Sequence, residues 1–394
     1  MKIAIFSDNF YPELSGISDS VVALAKELAE RGHEINFYVP KYAPKDFKKL
    51  NPFAKELDLG NKIKIIRLFS FSYPAATGQS RLVIPSGLSL ASIKEFKPDV
   101  IHSQLFFGVG LEALLAAKIN KIPFIGTNHT AITEFARYAP IKAKWFKNLM
   151  LKYAVWYYNR CKFVTAPSQA VFDEMAEYGF RRPHKVISNP IDLKIFRPRM
   201  DDREGGAATR KEFNLSENTV VYAGRLAAEK NIDVIIRAIA LAKEKVPTIN
   251  FAMAGHGIAM ESLKNLAKEL GVEKEVKFLG TLDKQMLAKI YRASKIFAIA
   301  STSETQSMTL MQAFGCGLPA IGVKARALPE YINQRNGFLV EPGDYKTLAE
   351  KFVFLFKNPI ERQALSMGAL EFIQNFSAER IAGAWEEIYK NNLS

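Results

Sequence analysis

The sequence predicts an α/β chain of two doubly wound parallel-sheet domains. Three observations carry this expectation. Short continuous apolar runs alternate with longer amphipathic stretches, and the alternation starts afresh after residue 200. The 394 residues suit two domains at roughly 100–200 residues each.

The first half reads in order as KIAIFS (2–7), INFYVP (35–40), IKIIRLF (63–69), VIHSQ (100–104), FIGTNH (124–129) and FVTAPS (163–168). Apolar runs this short and unbroken are strands buried on both faces. Between them SDSVVALAKELAERG (18–32) and LEALLAAKINK (111–121) carry helical periodicity. Gly32 stands where the first helix needs a left-handed cap. Strand–helix alternation places helices on both faces of a parallel sheet.

The second half offers TVVYAG (219–224), INFAMAG (249–255), VKFLG (276–280), IFAIAS (296–301) and PAIGV (319–323) as strands, with MESLKNLAKELGV (260–272) among the helices. The segment 189–210 is rich in Pro, Gly and charge and reads as the linker. The expected domains are 1–188, 189–370 and a last amphipathic helix within 371–394 that packs back on the first domain. Ligands of open parallel sheets gather beyond the carboxyl ends of the strands, so the polar loops are expected to line one interdomain cleft.

Hydrophobic residues make up 48% of the chain and charged residues 24%, enough for each half to bury its own core. No apolar run reaches the roughly 18 residues of a membrane span. MKIAIFSDNF reads as a first strand rather than a signal peptide. The two cysteines, Cys161 and Cys316, exclude a disulfide framework and fit a reducing, cytoplasmic setting. The net charge of +14 attracts polyanions: nucleic acid, an acidic membrane face or phosphorylated small molecules. The nucleic-acid class lacks zinc-ligand spacing, an RNA-recognition motif or a dense arginine run.

Four segments carry candidate chemistry. Gly16, just before the first helix, offers free backbone N–H groups to an anion; without a G-x-G-x-x-G pattern a plain strand–helix turn is an equal reading. Asn128 and His129 end a buried strand, where the histidine either bonds a ligand or satisfies nearby backbone. Arg225 and Lys230 flank a helix start, two cations suited to a diphosphate or simply solvated. The strongest segment is STSETQSMTLMQAFGCGLPAIG (301–322). Glu304 lies in a polar loop, and the helix-start amides of Ser307, Met308 and Thr309 are placed to hold phosphate oxygens. Gln312 follows on the same helix, within reach of a ligand at its start. No cluster of metal ligands is visible.

With these segments in place, the chain resembles retaining glycosyltransferases of family 4, with the GT-B fold of two Rossmann-like domains facing across a cleft. The resemblance runs through the SG loop at 15–16, LAKELAERGHEI, GTNHT, YNRCKFVTAPS, SNPIDLKIF, AGRLAAEKNID, the 301–322 block and NGFLVEPGD. It implies an amino-terminal acceptor-binding domain and a carboxy-terminal nucleotide-sugar-binding domain. Gly16 would approach the donor diphosphate and His129 the donor sugar. Arg225 and Lys230 would bind the diphosphate and stabilise the leaving nucleotide. Glu304, first acid of the family's E-x7-E motif, would bind sugar hydroxyls, and the start of the helix at 307–309 would receive phosphate. Two departures stand out. The second acid is Gln312 here, an uncharged acceptor where the family binds ribose. Ser307 replaces a glycine, and its Cβ restricts the approach of phosphate.

The subgroup most resembled is the bacterial 1,2-diacylglycerol 3-glucosyltransferases, through SETQ, YNRC-x-x-V-x-APS and the aromatic, basic stretch 141–160. On a helix, Trp145, Phe146, Leu149, Met150, Tyr153, Trp156 and Tyr157 are expected on one face, with Lys144 and Lys147 opposite. That face either meets an anionic membrane surface or packs on the core. The resemblance implies a metal-independent, retaining hexosyltransferase using a nucleotide sugar such as UDP-glucose as co-substrate, with no other cofactor. The acceptor would be diacylglycerol or another membrane lipid, giving a peripheral place on the inner face of the cell membrane. Alternatives are GDP-mannose with a polysaccharide or small-molecule acceptor, a sugar epimerase or phosphorylase, and a binding protein that has lost catalysis.

Overall fold

A computed structural model describes residues 1–13, 15–44, 46–47, 57–72, 81–132, 144–198 and 202–393. Its contacts divide the chain into unit 1, Met1–Pro190 with Ala378–Ser394, and unit 2, Ile191–Ser377.

Unit 1 is built on strands β1 Lys2–Phe6, β2 Glu34–Pro40, β3 Ile63–Leu68, the short pair β4 Phe71–Ser72 and β5 Arg81–Leu82, then β6 Val100–Ser103, β7 Phe124–Thr127, β8 Phe163–Ala166 and β9 His184–Val186. Seven of them form one sheet in the order β3-β2-β1-β6-β7-β8-β9, and every pairing in it is parallel. The strands are buried because helices cover both faces. Ala4, Phe6, Ile101 and Val164 point to one core, and Ile3, Ile5, Phe37 and Ile125 to the other. That alternation along β1 is the period of two that any strand imposes. The last helix, Ala378–Asn391, closes the second face with Ile381, Ala382, Trp385, Ile388 and Tyr389, beside the first helix Gly16–Glu30. The first helix ends at Arg31, and Gly32 follows with φ +95, a backbone state that costs glycine little.

At the end of β1 the buried Asp8 accepts N–H bonds from Val109 at 2.7 Å and Gly110 at 3.2 Å, satisfying the first turn of the helix Gly108–Asn120. Burial raises its carboxyl from 3.8 to about 6, against the backbone hydrogen bonds that lower it. A raised carboxyl favours the folded state while protonated, so this contribution is complete below the ordinary range and lost as pH rises through about 6. Asp8→Asn should therefore lose less stability than the parent between pH 5 and pH 7.5, roughly one unit or more on each side of that value. Urea unfolding at the two pH values measures it, and equal losses would refute it.

Unit 2 carries β10 Asn218–Ala223, β11 Ile249–Ala254, β12 Val276–Gly280, β13 Ile296–Ile299, β14 Ala320–Val323 and β15 Gly337–Val340. Their order is β12-β11-β10-β13-β14-β15, again wholly parallel. Its core is a single cluster from Ile191 to Ile373. Gly224 and Gly255, just beyond β10 and β11, sit at φ +146 and +144. A Cβ on Gly255 would lie 1.9 Å from the Gly224 carbonyl oxygen, so only glycine lets these two loops pass backbone to backbone.

The passage between the units falls within segment 189–210, after Pro190, and the segment has structure of its own. Ile191 pairs in parallel with Ser377, its N–H donating to the Phe376 carbonyl at 2.9 Å. Residues Asp202–Glu212 form a helix that packs against the helix Lys284–Ala293. The chain leaves unit 1 after Pro190 and returns at Ala378, whereas the sequence placed these passages at 189 and 371.

Candidate active site

In each sheet the strand order reverses at one point, between β1 and β6 in unit 1 and between β10 and β13 in unit 2. Strand ends there diverge to opposite sides and leave a crevice for a ligand. The candidate residues follow these strand ends or their neighbours.

In unit 2, Arg225 lies beyond β10 and Lys230 ends the 3-10 turn Ala228–Lys230. Asn231 caps the next helix, Ile232–Lys243, from a left-handed conformation, φ 47 and ψ 42. Its amide donates to the Ala300 carbonyl at 3.1 Å, tying the turn to the end of β13. This brings Lys230 onto Glu304: Nζ to Oε1 is 2.6 Å, with side-chain exposures of 18% and 12%. Arg225 pairs with Glu229 at 2.7 Å. Burial alone would raise the Glu304 carboxyl. The charge and hydrogen bond of Lys230, the Ser301 hydroxyl and the charge of Arg225 outweigh burial and hold it below the usual range. Glu304 is therefore ionised at neutral pH.

Ser307 is the N-cap of the helix Met308–Gly315, its Oγ accepting from Leu310 N at 3.3 Å and lying 3.2 Å from the Thr309 hydroxyl. The cap takes up the Leu310 amide, and the amides before it have no acceptor within the helix. Ser307, a departure from the pattern the chain resembles, thus has a capping role of its own. Gln312 is buried, with Oε1 lacking any hydrogen-bond partner. A buried amide oxygen without a donor costs about 1–3 kcal/mol, and a donor hydroxyl or N–H would relieve it.

In unit 1, Gly16 opens the first helix, whose N-cap Ser15 accepts from Ser18 N at 3.0 Å. The Ser15 hydroxyl also donates to the Asn9 side chain, as does that of Ser18 at 3.0 Å. His129 follows β7 and is buried; burial lowers its imidazole to about 3, so it is neutral. Its Nε2 lies 2.8 Å from the Gln104 amide oxygen. Sequence reading passed over Gln104, Ser301 and Asn231. The signal for the first two is position, since each sits just past a strand at a point of reversal.

The aromatic stretch forms the helix Lys144–Tyr158; residues 141–143 and the Lys144 side chain lie outside the described residues. The aromatic side of this helix divides between solvent and core. Tyr157 is fully buried with Leu151, Ala154 and Tyr158, while Trp145, Leu149 and Trp156 are 61%, 53% and 41% exposed. At about 100° per residue the seven span an arc of roughly 140°; its Trp145–Leu149–Trp156 edge faces solvent and its Tyr157 edge meets the core, so the helix is apolar both inward and outward. Lys147, Lys152 and Arg160 are exposed, Lys152 on the side of the outer residues, and the Arg160 guanidinium lies 3.8 Å from the Trp156 ring centre. No helix among the described residues is long and apolar enough to cross a membrane.

The main sheet of each unit is wholly parallel and doubly wound, the Rossmann-like arrangement of the GT-B fold. The chain carries two glycosyltransferase domains: the model "Glycosyltransferase Family 4" matches residues 14–195, and the model "Glycosyl transferases group 1" matches 208–371. It is similar to an alpha-monoglucosyldiacylglycerol synthase of Streptococcus pneumoniae, 28% identical over 324 residues, 82% of this chain and 70% of that one. It is 25% identical over 409 residues to a synthase of the same name from Acholeplasma laidlawii, covering 100% and 98% of the two chains. Among solved structures, Anabaena Alr3699/HepE in complex with UDP matches 99% of this chain and 100% of that one, with a TM-score of 0.78 at 21% identity. At that identity the likeness concerns the fold.

Proposed function

We propose that the protein transfers a hexose, with retention of configuration, from UDP-glucose to a hydroxyl of diacylglycerol or a related membrane lipid. The observation that carries this reading is the Lys230–Glu304 pair beside Arg225 at the reversal point of unit 2. A carboxylate held ionised accepts hydrogen bonds from sugar hydroxyls, and two cations meet the charge of a pyrophosphate. When the anomeric bond breaks, its electron pair leaves with the nucleoside diphosphate. Arg225, Lys230 and the amides at the Met308–Gly315 helix start stabilise that charge, and a divalent metal has no necessary part. Neutral His129 is assigned to the donor sugar and Gly16 to the diphosphate. The acceptor hydroxyl attacks from the face the phosphate leaves, and the departing phosphate takes its proton, so no protein general base is assigned. Gln312 Oε1 suits a ribose hydroxyl. The names of the two relatives support the sugar and the lipid acceptor.

The test is incubation with UDP-glucose and diacylglycerol in mixed micelles, without added metal and then with EDTA. An α-linked glucosyl lipid, identified by mass and proton NMR, supports the reading. A β-linked product overturns retention, loss of turnover in EDTA overturns metal independence, and turnover with GDP-mannose alone overturns the donor.

The exposed stripe Trp145, Leu149 and Trp156, flanked by Lys152 and Arg160, supports a peripheral membrane contact. Indole rings settle at the lipid interface, and basic side chains meet anionic headgroups. Trp145→Ser and Trp156→Ser should each weaken binding to phosphatidylglycerol-containing vesicles by about tenfold, with circular dichroism checking that both variants keep the fold. Co-sedimentation measures this, and unaltered partition of the double variant would rule the stripe out.

A further inference from the structure

His129 lies at one end of a buried relay whose other end is the last helix. His102, on β6, is fully buried. Its Nδ1 is 2.8 Å from the Tyr389 hydroxyl and its Nε2 is 2.7 Å from the Thr127 hydroxyl. The Thr127 hydroxyl is held in turn by that of Thr165 at 2.7 Å. The Trp385 ring lies over the imidazole with centres 4.3 Å apart. The side chain of Gln104 bridges the two histidines. Its Nε2 is 3.1 and 3.2 Å from the His102 ring nitrogens, and its Oε1 is 2.8 Å from His129 Nε2.

The Gln104 oxygen facing His129 selects one tautomer of that ring. A neutral imidazole has one N–H and one lone pair, and an amide oxygen only accepts. Because Gln104 turns its NH2 toward His102, its oxygen faces His129, whose proton then sits on Nε2. Each His102 nitrogen already has a hydroxyl partner, Tyr389 or Thr127, and these two bonds set the angle of the ring that the Gln104 NH2 meets. Burial keeps both imidazoles neutral, at about 3, with His129 also lowering His102, and burial keeps the Tyr389 hydroxyl protonated.

We propose that Tyr389 of the last helix is a positioning residue for the transferase site: through His102 and Gln104 it sets the tautomer and ring angle of His129. Tyr389 is 287 positions from His102, and its helix joins unit 1 only after the chain has passed through unit 2. The inference rests on the proposed transferase reading for its turnover arm alone; the tautomer arm stands without it.

The experiment reads both arms on the full-length chain. Nitrogen-15 spectra of histidine-labelled protein, with His129 assigned through His129→Asn, report which ring nitrogen carries the proton. The parent should show His129 protonated at Nε2. Tyr389→Phe keeps the ring and removes the hydroxyl, and Gln104→Leu removes the acceptor; both should give mixed tautomers. Each should lower kcat by about five- to tenfold, the worth of one hydrogen bond, with the donor KM changed less than about twofold. Gln104→Glu keeps an acceptor for Nε2–H and should restore that tautomer, and its charge should raise the His129 pKa. A parent His129 protonated at Nδ1 overturns the proposal. So do variants with lowered melting temperature but parental tautomer and kcat, which would mark the relay as packing only. If Tyr389→Phe does not fold, Gln104→Leu interrogates the same relay from its other end. A parent without turnover but with the Nε2–H tautomer would fail the transferase reading and leave the relay standing.

Discussion

Glu304→Gln should reduce kcat by about 100- to 1,000-fold, in the range found on removing one preorganised group at a reacting centre. The substitution keeps volume and one acceptor oxygen but loses the charge that makes a carboxylate's hydrogen bonds roughly twice as strong as neutral ones. It also frees Lys230 from a 2.6 Å ion pair and alters where that cation rests. Because the Glu304 carboxyl is held below the usual range, its contribution to stability is present above that range and is lost only as pH falls through its lowered value. The parent enzyme should accordingly show no loss of turnover from this group between pH 7 and pH 5, roughly the span above an ordinary carboxylate. Initial rates with saturating donor decide the matter, and a Gln variant with near-parental kcat would remove Glu304 from the chemistry.

Lys230→Met should cost as much in rate, and more in stability. Loss of one fixed cation at the leaving phosphate removes about 2.7–4 kcal/mol of transition-state stabilisation. The variant also strands the Glu304 carboxylate, which is mostly buried and ionised. Breaking a buried pair from one side costs about 3–5 kcal/mol, and the residual exposure of this one favours the lower end. The double variant Lys230→Met, Glu304→Gln should regain much of that stability, because no lone charge remains, and none of the activity. Thermal melting and single-turnover rates on the three variants separate the two effects. Rates that recover together with stability would show that the pair only holds the fold.

Which parts of this architecture the sequence discloses follows from where the information resides. The central strands are legible because burial on both faces demands unbroken apolar runs, and each of the eleven runs named at the outset overlaps a strand. β9 escapes because His184 and Lys185 are exposed on a sheet edge and carry no apolar signature. The helix Asp202–Glu212 escapes because its composition reads as loop; contact with the helix Lys284–Ala293 supplies what propensity lacks. Arg225, Lys230 and Glu304 are legible as polar residues just past apolar strands, and the parallel order β10-β13 is what brings them together. Their ion pairing is not legible, since it depends on the turn that Asn231 fixes. Tyr389 is beyond reach for another reason: an amphipathic helix shows which residues are apolar, not which distant hydroxyl a buried imidazole will find.

The passage of the chain out of unit 1 at Pro190 and back at Ala378 has a consequence during biosynthesis. On the ribosome, the front sheet emerges long before the segment that covers Ile3, Ile5, Val21 and Leu24. A nascent polypeptide stalled or cleaved near residue 377 presents a finished rear unit and a front unit with a bare oily flank. Such a fragment is a substrate for chaperones and proteases, so late nonsense mutations should remove the protein from the cell instead of leaving a half-working enzyme there.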